Sequence, residues 1–315
     1  MKKKIIFFLL PIIISIAISE IVSYRFLVNR NKTAVIAYNN ILGLNKKSII
    51  PKPLIKYVKV TEFDAKKDKC LRPVEYRDKS KPPIILFGCS YTEGFGLEEN
   101  ETLSRKLADF TNRTIYNRGH MGTGIPFMYY QLNDKDIMEK LPKNTEYVIF
   151  TLIPDHFPRL FRYRNFVLTG DHTLKYKIKN NKLVRDKLMF PFIHSLYTSI
   201  IMEEYIANKK GYDVNEVKPL AVKLFEESYK IIHKKFPNAK FIIMYYQHYK
   251  GESTQEYDEI IDNIKNINKD NIEIIYINDL LPELYEKKYW LEDNSHPSAA
   301  AWDIIVPVLS EKLGL

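Results

Sequence analysis

The chain has 315 residues, of which 45% are hydrophobic and 27% charged, a globular balance that excludes a disordered or collagen-like polymer. The 48 Lys and Arg outnumber the 38 Asp and Glu by ten. The Lys-Lys pairs at 46–47, 66–67, 209–210, 234–235 and 287–288 are interrupted by acids, so the charge reads as a solvated surface and no nucleic-acid partner is expected. Two cysteines, Cys70 and Cys89, are too few for a disulfide scaffold or a cysteine-rich zinc site.

The first element is a basic tripeptide, Lys2 to Lys4, followed by an apolar run from Ile5 to Ser19. As a helix that run spans about 22 Å, short of a hydrocarbon core of about 30 Å and suited to the apolar part of a signal peptide. Ala17-x-Ser19 offers a cleavage site, yet apolar character resumes from Ile21 to Val28. Residues 1–28 therefore read as a signal peptide or an uncleaved membrane anchor. The positive charges on the two flanks nearly balance, with a slight bias toward a cytoplasmic N-terminus. The expected location is the inner membrane with the body outside the cytoplasm, or secretion after cleavage.

Residues 29–80 read as an irregular lead-in carrying Pro51, Pro53 and Pro73. From 81 a strand–helix alternation begins. Apolar runs at 83–88, 114–116, 147–153, 241–246 and 272–277 predict five buried strands. Helical spacing appears at 102–110, 219–235 and 256–267, with a closing helix at about 299–312. Such an order implies an α/β fold with a parallel sheet covered on both faces, and a ligand site outside the carboxyl ends of the strands. An insertion at about 156–212 breaks the rhythm. Within it, alternation at 165–168 and 174–178 and the Asn180-Asn181 pair predict a β-hairpin, followed by a helix near 193–206.

Three strings carry residues suited to chemistry. Ser90 follows the first strand in Gly88-Cys-Ser-Tyr-Thr-Glu-Gly94, a loop that is neither a G-x-S-x-G elbow nor a phosphate loop. Asp293-Asn-Ser-His296-Pro precedes the last helix, at a spacing that lets the carboxylate orient the imidazole. His is the side chain best suited to take a serine proton near neutral pH. Tyr116-Asn-Arg-Gly-His-Met-Gly122, placed after the second strand, holds glycines able to turn a backbone N–H into a site. Cys89 adjoins Ser90 and is expected to face the sheet packing. His172, His194, His233 and His248 lack metal-ligand spacing, so neither a metal nor another cofactor is expected.

Taken together, the three strings resemble the blocks of the SGNH/GDSL hydrolase superfamily over roughly 84–310, and most closely its membrane-anchored bacterial members. Block I is matched by Gly88-Cys-Ser90-Tyr-Thr92, with Cys89 where Asp is commoner. Block II is matched by Asn117-x-Gly119-x-x-Gly122, and block V by Asp293-x-x-His296-Pro. The resemblance implies a flavodoxin-like three-layer sandwich over 81–315. It also implies Ser90 as nucleophile, His296 as base and Asp293 as its orienter, with Ser90 and Gly122 N–H groups forming an oxyanion hole. Asn117, Gly119, His120, Asp155 and His156 are candidates to line the site.

Block III departs from the pattern. Where the family has G-x-N-D, the chain reads Thr151-Leu-Ile-Pro-Asp-His156, so Pro154 or Asp155 stands in place of the Asn donor. Losing one such donor costs about 2.7–4 kcal/mol of transition-state stabilisation, and His156 is the candidate replacement. The activity implied is a serine esterase acting on an acyl ester, O-acetyl above all, of an extracytoplasmic glycan or lipid. An O-acyltransferase using the same residues and a non-catalytic glycan-binding or assembly protein are the alternatives.

Overall fold

The computed structural model describes residues 72–160, 176–185, 214–247 and 255–315. Five strands form one sheet: β1 (Ile84–Gly88), β2 (Ile115–Gly119), β3 (Tyr147–Leu152), β6 (Lys240–Tyr245) and β7 (Ile272–Tyr276). Their spatial order is β2-β1-β3-β6-β7 and every pairing is parallel. Counting only these five, that is the 2-1-3-4-5 order of flavodoxin-like doubly wound sheets.

Alternation along the strands builds two cores. Ile85, Phe87, Val148, Phe150, Phe241 and Ile243 face one side. There they meet α3 (Ile125–Asn133), α4 (Lys135–Lys140), α5 (Val214–Lys235) and α6 (Gln255–Lys265). Ile84, Leu86, Ile149, Ile242 and Met244 face the other, against α2 (Leu103–Thr111) and α8 (Ala299–Leu313). With apolar residues on both faces, β1 and β3 are buried along their whole lengths and read in the sequence as continuous apolar runs. Two short helices complete the set, α1 (Ser90–Glu93) after β1 and α7 (Ile277–Leu280) after β7.

Local chemistry sets the helix ends. Thr102 Oγ1 caps α2 by accepting from Arg105 N–H (3.2 Å), and Asp134 caps α4 by accepting from Ile137 N–H (3.2 Å). Gly314, at φ 70°, closes α8 in the left-handed conformation. Outside the main sheet, β4 (Tyr176–Lys179) and β5 (Lys182–Arg185) form the expected hairpin. Asn180 and Asn181 both have positive φ (49° and 58°), the geometry of a type I′ turn. The expected strand at 165–168, the helix near 193–206, Cys70 and the N-terminal segment 1–28 lie outside the described residues. Among the described residues no helix is long and apolar enough to cross a membrane.

The second strand differs from its expected extent. It runs on to Gly119, so Asn117 and Gly119 lie within β2 and not in the loop after it. The reason is backbone pairing: Leu86 and Gly88 of β1 take Asn117 and Gly119 as parallel partners. A polar Asn is tolerated at that buried position because its side chain is fully hydrogen-bonded, as described below. The end of the lead-in also joins the sheet, since Glu75 and Ile115 exchange two backbone hydrogen bonds of 3.0 Å.

Candidate active site

Ser90 is the first residue of α1, directly beyond the carboxyl end of β1. The turn is tight because Gly88, at φ 155°, lacks a Cβ that would collide with the Thr92 hydroxyl. Thr92 in turn donates to Phe87 O (3.3 Å) and meets Thr151 Oγ1 at 2.8 Å, fastening the turn to β1 and β3. From the other end of the sheet, the 291–298 turn brings in Asp293 and His296. It is closed at its neck by Leu291 N–H donating to His296 O (2.8 Å).

These two turns place three side chains in line. His296 Nε2 lies 2.9 Å from Ser90 Oγ, and His296 Nδ1 lies 2.6 Å from Asp293 Oδ2. Asp293 Oδ1 also accepts from the N–H groups of Ser295 (2.8 Å) and His296 (3.0 Å). Burial pushes the Asp293 carboxyl up, but the hydrogen bonds from His296 and Ser295 outweigh it and leave the group below its ordinary value. An ionised Asp293 on Nδ1 keeps the proton there and leaves Nε2 free to accept from Ser90. The imidazole is held between the rings of Phe95 and Tyr91, at 4.6 and 5.8 Å between centroids. Tyr91 Oη donates to Ser295 O (2.9 Å), joining the Ser90 turn to the His296 turn.

The loop after β2 completes one wall. Gly122 is left-handed at φ 73°. Among the described residues neither Ser90 N–H nor Gly122 N–H is used in an intramolecular hydrogen bond. The loop is fixed from several sides: His120 N–H donates to Gly88 O (3.0 Å), Thr123 Oγ1 to His120 O (2.6 Å), and Met121 N–H to the Glu93 carboxylate. The His120 ring packs on Phe127, 4.9 Å between centroids.

Asn117 and Gly119 serve the turn from beneath. Asn117 Nδ2 donates to Thr92 O (2.7 Å) and Ser104 Oγ (3.0 Å), while its Oδ1 accepts from Gly119 N–H (2.9 Å). At Gly119 any Cβ would strike the Glu93 backbone nitrogen, so only glycine lets β2 approach α1 this closely.

The segment after β3 is a short 3-10 turn, Pro154–His156, followed by a second, Pro158–Leu160. Asp155 is turned outward and pairs with Arg159 (2.9 Å). His156 is fully buried, its ring against Gly124 and Phe150. Burial, and then the Arg159 charge, hold its imidazole well below the usual range and therefore neutral. With Nδ1 accepting from Ile153 N–H at 3.5 Å, the proton sits on Nε2, which has no hydrogen-bond partner among the described residues. Arg159 Nη1 donates to Thr123 O (2.7 Å), so the same segment braces the Gly122 loop. Its charge also faces Cys89, a buried free thiol that burial pushes up and out of the nucleophilic range.

The structure thus brings Ser90, His296 and Asp293 together, with Gly122 on the adjoining loop. Asn117 and Gly119 sit beneath the turn, and His156 lies on the β3 side. Sequence reasoning passed over Arg72, Tyr91, Glu93 and Arg159. The Asp155-x-x-x-Arg159 spacing was a readable signal for an ion pair on one helical turn. Nothing local marked Arg72, whose Nε donates to Glu93 O (2.7 Å) and whose Nη2 donates to Gly94 O (2.6 Å) and Leu97 O (3.1 Å).

No family model and no curated protein matches the sequence. Solved structures similar to this chain include a carbohydrate esterase family 2 enzyme with a carbohydrate-binding domain from Corynascus thermopiles (Myceliophthora fergusii), at 14% identity and TM-score 0.42, over 75% of this chain and 67% of that one. A phospholipase A1 from Streptomyces albidoflavus is similar at 15% identity and TM-score 0.44, over 73% of this chain and 99% of that one. A G-D-S-L family protein from Desulfitobacterium hafniense is similar at 10% identity and TM-score 0.43, over 73% of this chain and 99% of that one.

Proposed function

We infer that this protein is a serine ester hydrolase of SGNH/GDSL type. The observation that carries the reading is the unbroken hydrogen-bond chain from Ser90 Oγ through His296 to Asp293. In the reaction, Ser90 Oγ bonds to the ester carbonyl carbon while its proton passes to His296 Nε2. The carbonyl oxygen becomes an oxyanion facing the Ser90 and Gly122 N–H groups. Collapse expels the alcohol, which takes the proton from His296, and leaves an acyl-serine. Water, deprotonated by the same imidazole, then releases the acid and restores Ser90. His156, neutral and with an unspent Nε2–H, is the candidate for the donor that Asn supplies in the family.

The N-terminal segment, read as an anchor or signal peptide, favours a substrate outside the cytoplasm. A chain anchored in the inner membrane, or secreted, with its body outside the cytoplasm meets O-acylated glycans and lipids. Passing the acyl group to a sugar hydroxyl instead of water would use the same three residues.

A second reading, a non-catalytic glycan-binding or assembly protein, is favoured by Pro154 or Asp155 standing where the family has its Asn. Labelling with a fluorophosphonate probe, with peptide mapping and a Ser90→Ala control, separates the two. An adduct on Ser90 that is lost in the variant supports the hydrolase. A folded protein that takes no adduct favours the binding protein.

A further inference from the structure

The turn that carries Ser90 and the loop that carries Gly122 follow different strands, and one side chain spans them. Glu93 closes α1, and its carboxylate accepts from the N–H of Met121, the residue before Gly122. Glu93 is only 2% exposed, and a carboxylate is costly to bury. Among the described residues no ion pair compensates it. Arg72, the nearest cation, directs its guanidinium to the Glu93, Gly94 and Leu97 carbonyls and to Glu99. The packing around Glu93 is also intolerant of change, since Gly119 lies against its backbone. A buried acid in this position serves the loop it holds more than the core it burdens.

We propose that Glu93 is a positioning residue: its carboxylate holds the 120–122 loop so that the Gly122 N–H faces the same point as the Ser90 N–H, and its protonation slackens that hold. This rests on the reading of Ser90 as nucleophile. Burial raises the Glu93 carboxyl to about 7, against the Met121 hydrogen bond and the Arg72 charge, which lower it. Its ionisation therefore changes across the neutral range.

The charged groups on the elements packed around α1 are few. Arg72 comes from the lead-in, with Glu99 as its partner. On β2, Arg118 is turned to Gln131 (3.1 Å). Arg105 of α2 is turned to Asp109 and Glu75, and His120 shares the held loop. Glu75, raised to about 7 by burial and by Glu99, titrates in the same range without touching the loop. Glu75→Gln is therefore the control.

The test uses the full chain in detergent, selectively labelled with 15N-methionine, with Met121→Leu to assign the resonance. Amide shifts and the rate of fluorophosphonate attachment to Ser90 are followed from about pH 5.5 to 9. The expected result is a Met121 amide that moves with a midpoint near 7 in the wild type and in Glu75→Gln, and stays flat in Glu93→Gln. Glu93→Ala, melting as a folded protein, labels about 10–100-fold more slowly, the penalty of a misplaced catalytic group. Glu93→Gln, a neutral stand-in for the protonated acid, labels at the slower low-pH rate throughout and loses the pH-dependent component near 7.

A folded Glu93→Ala that labels like the wild type overturns the proposal, as does a Met121 midpoint that persists in Glu93→Gln. If Glu93→Ala does not fold, the Glu93→Gln resonance and pH profile decide. A wild-type chain that takes no probe while Met121 still titrates overturns the nucleophile reading, and the positioning role falls with it.

Discussion

Tyr91 and Ser295 are 204 residues apart in the chain, yet Tyr91 Oη donates to the Ser295 carbonyl at 2.9 Å. The bond joins the turn bearing Ser90 to the turn bearing His296, beside the contact of those two side chains. Burial raises the Tyr91 phenol well above its usual range, so the hydroxyl keeps its proton and remains a donor. Tyr91→Phe removes the donor and leaves the ring. The expected cost is about 1–3 kcal/mol of stability, the penalty for an acceptor left unmet, together with slower probe attachment to Ser90. Chemical melts and labelling kinetics on the same preparation measure both.

Asp293→Asn leaves the size and most of the hydrogen bonding intact but removes the charge that orients His296. An amide nitrogen facing Nδ1 favours the tautomer with its proton on Nε2, which cannot accept from Ser90. Ester hydrolysis is expected to fall by about 10³–10⁴-fold, by analogy with the serine-protease triad, with melting little changed. Hydrolysis of p-nitrophenyl acetate reads this directly, and a loss of less than tenfold would remove Asp293 from the reaction.

Glu93 makes stability depend on pH. Its carboxyl is raised to about 7 in the folded protein, so its contribution is complete below the ordinary Glu range and is lost as pH rises through about 7. The loss amounts to about 3 kcal/mol. Glu93→Gln escapes it, and its stability relative to the wild type should grow between pH 5 and 8. Urea melts at the two pH values test the sign. A variant that tracks the wild type at both would mean that the carboxylate is stabilised as well in the fold as in water.

Gly119→Ala introduces a Cβ onto the Glu93 backbone nitrogen and the Thr92 carbonyl carbon, neither of which can rotate away. Overpacking of this kind costs about 1–3 kcal/mol, and the displaced α1 should slow the attachment of probe to Ser90. Gly314→Ala is the comparison: its φ is 70° but its Cβ would meet nothing within 4 Å. Its cost is confined to the left-handed backbone, about 1 kcal/mol, with labelling unchanged.

The five strands of the main sheet and four of the eight described helices, α2, α5, α6 and α8, were legible because their signals are short-range. Pro83 to Gly88 is apolar throughout because β1 is covered on both faces, and Asn180-Asn181 marks a turn through its own backbone preference. Ser90 and the Asp293/His296 pair stood out because each follows a strand end, and parallel strands deliver their carboxyl ends to one edge. The limit of β2 was not legible: Asn117 and Gly119 look like loop residues until β1 pairs with them.

By itself the sequence determined the α/β alternation, the strings around Ser90, Gly122 and His296, and the Pro154-Asp155-His156 string after β3, which holds no Asn. Only the tertiary structure decided what holds that site in shape. Arg72 reaches Glu93, Gly94 and Leu97, Glu93 reaches Met121, and Arg159 reaches Thr123, across separations of 21 to 36 residues. A buried charge has no local signature, because its cost and its use both depend on partners that only folding brings within a few ångströms.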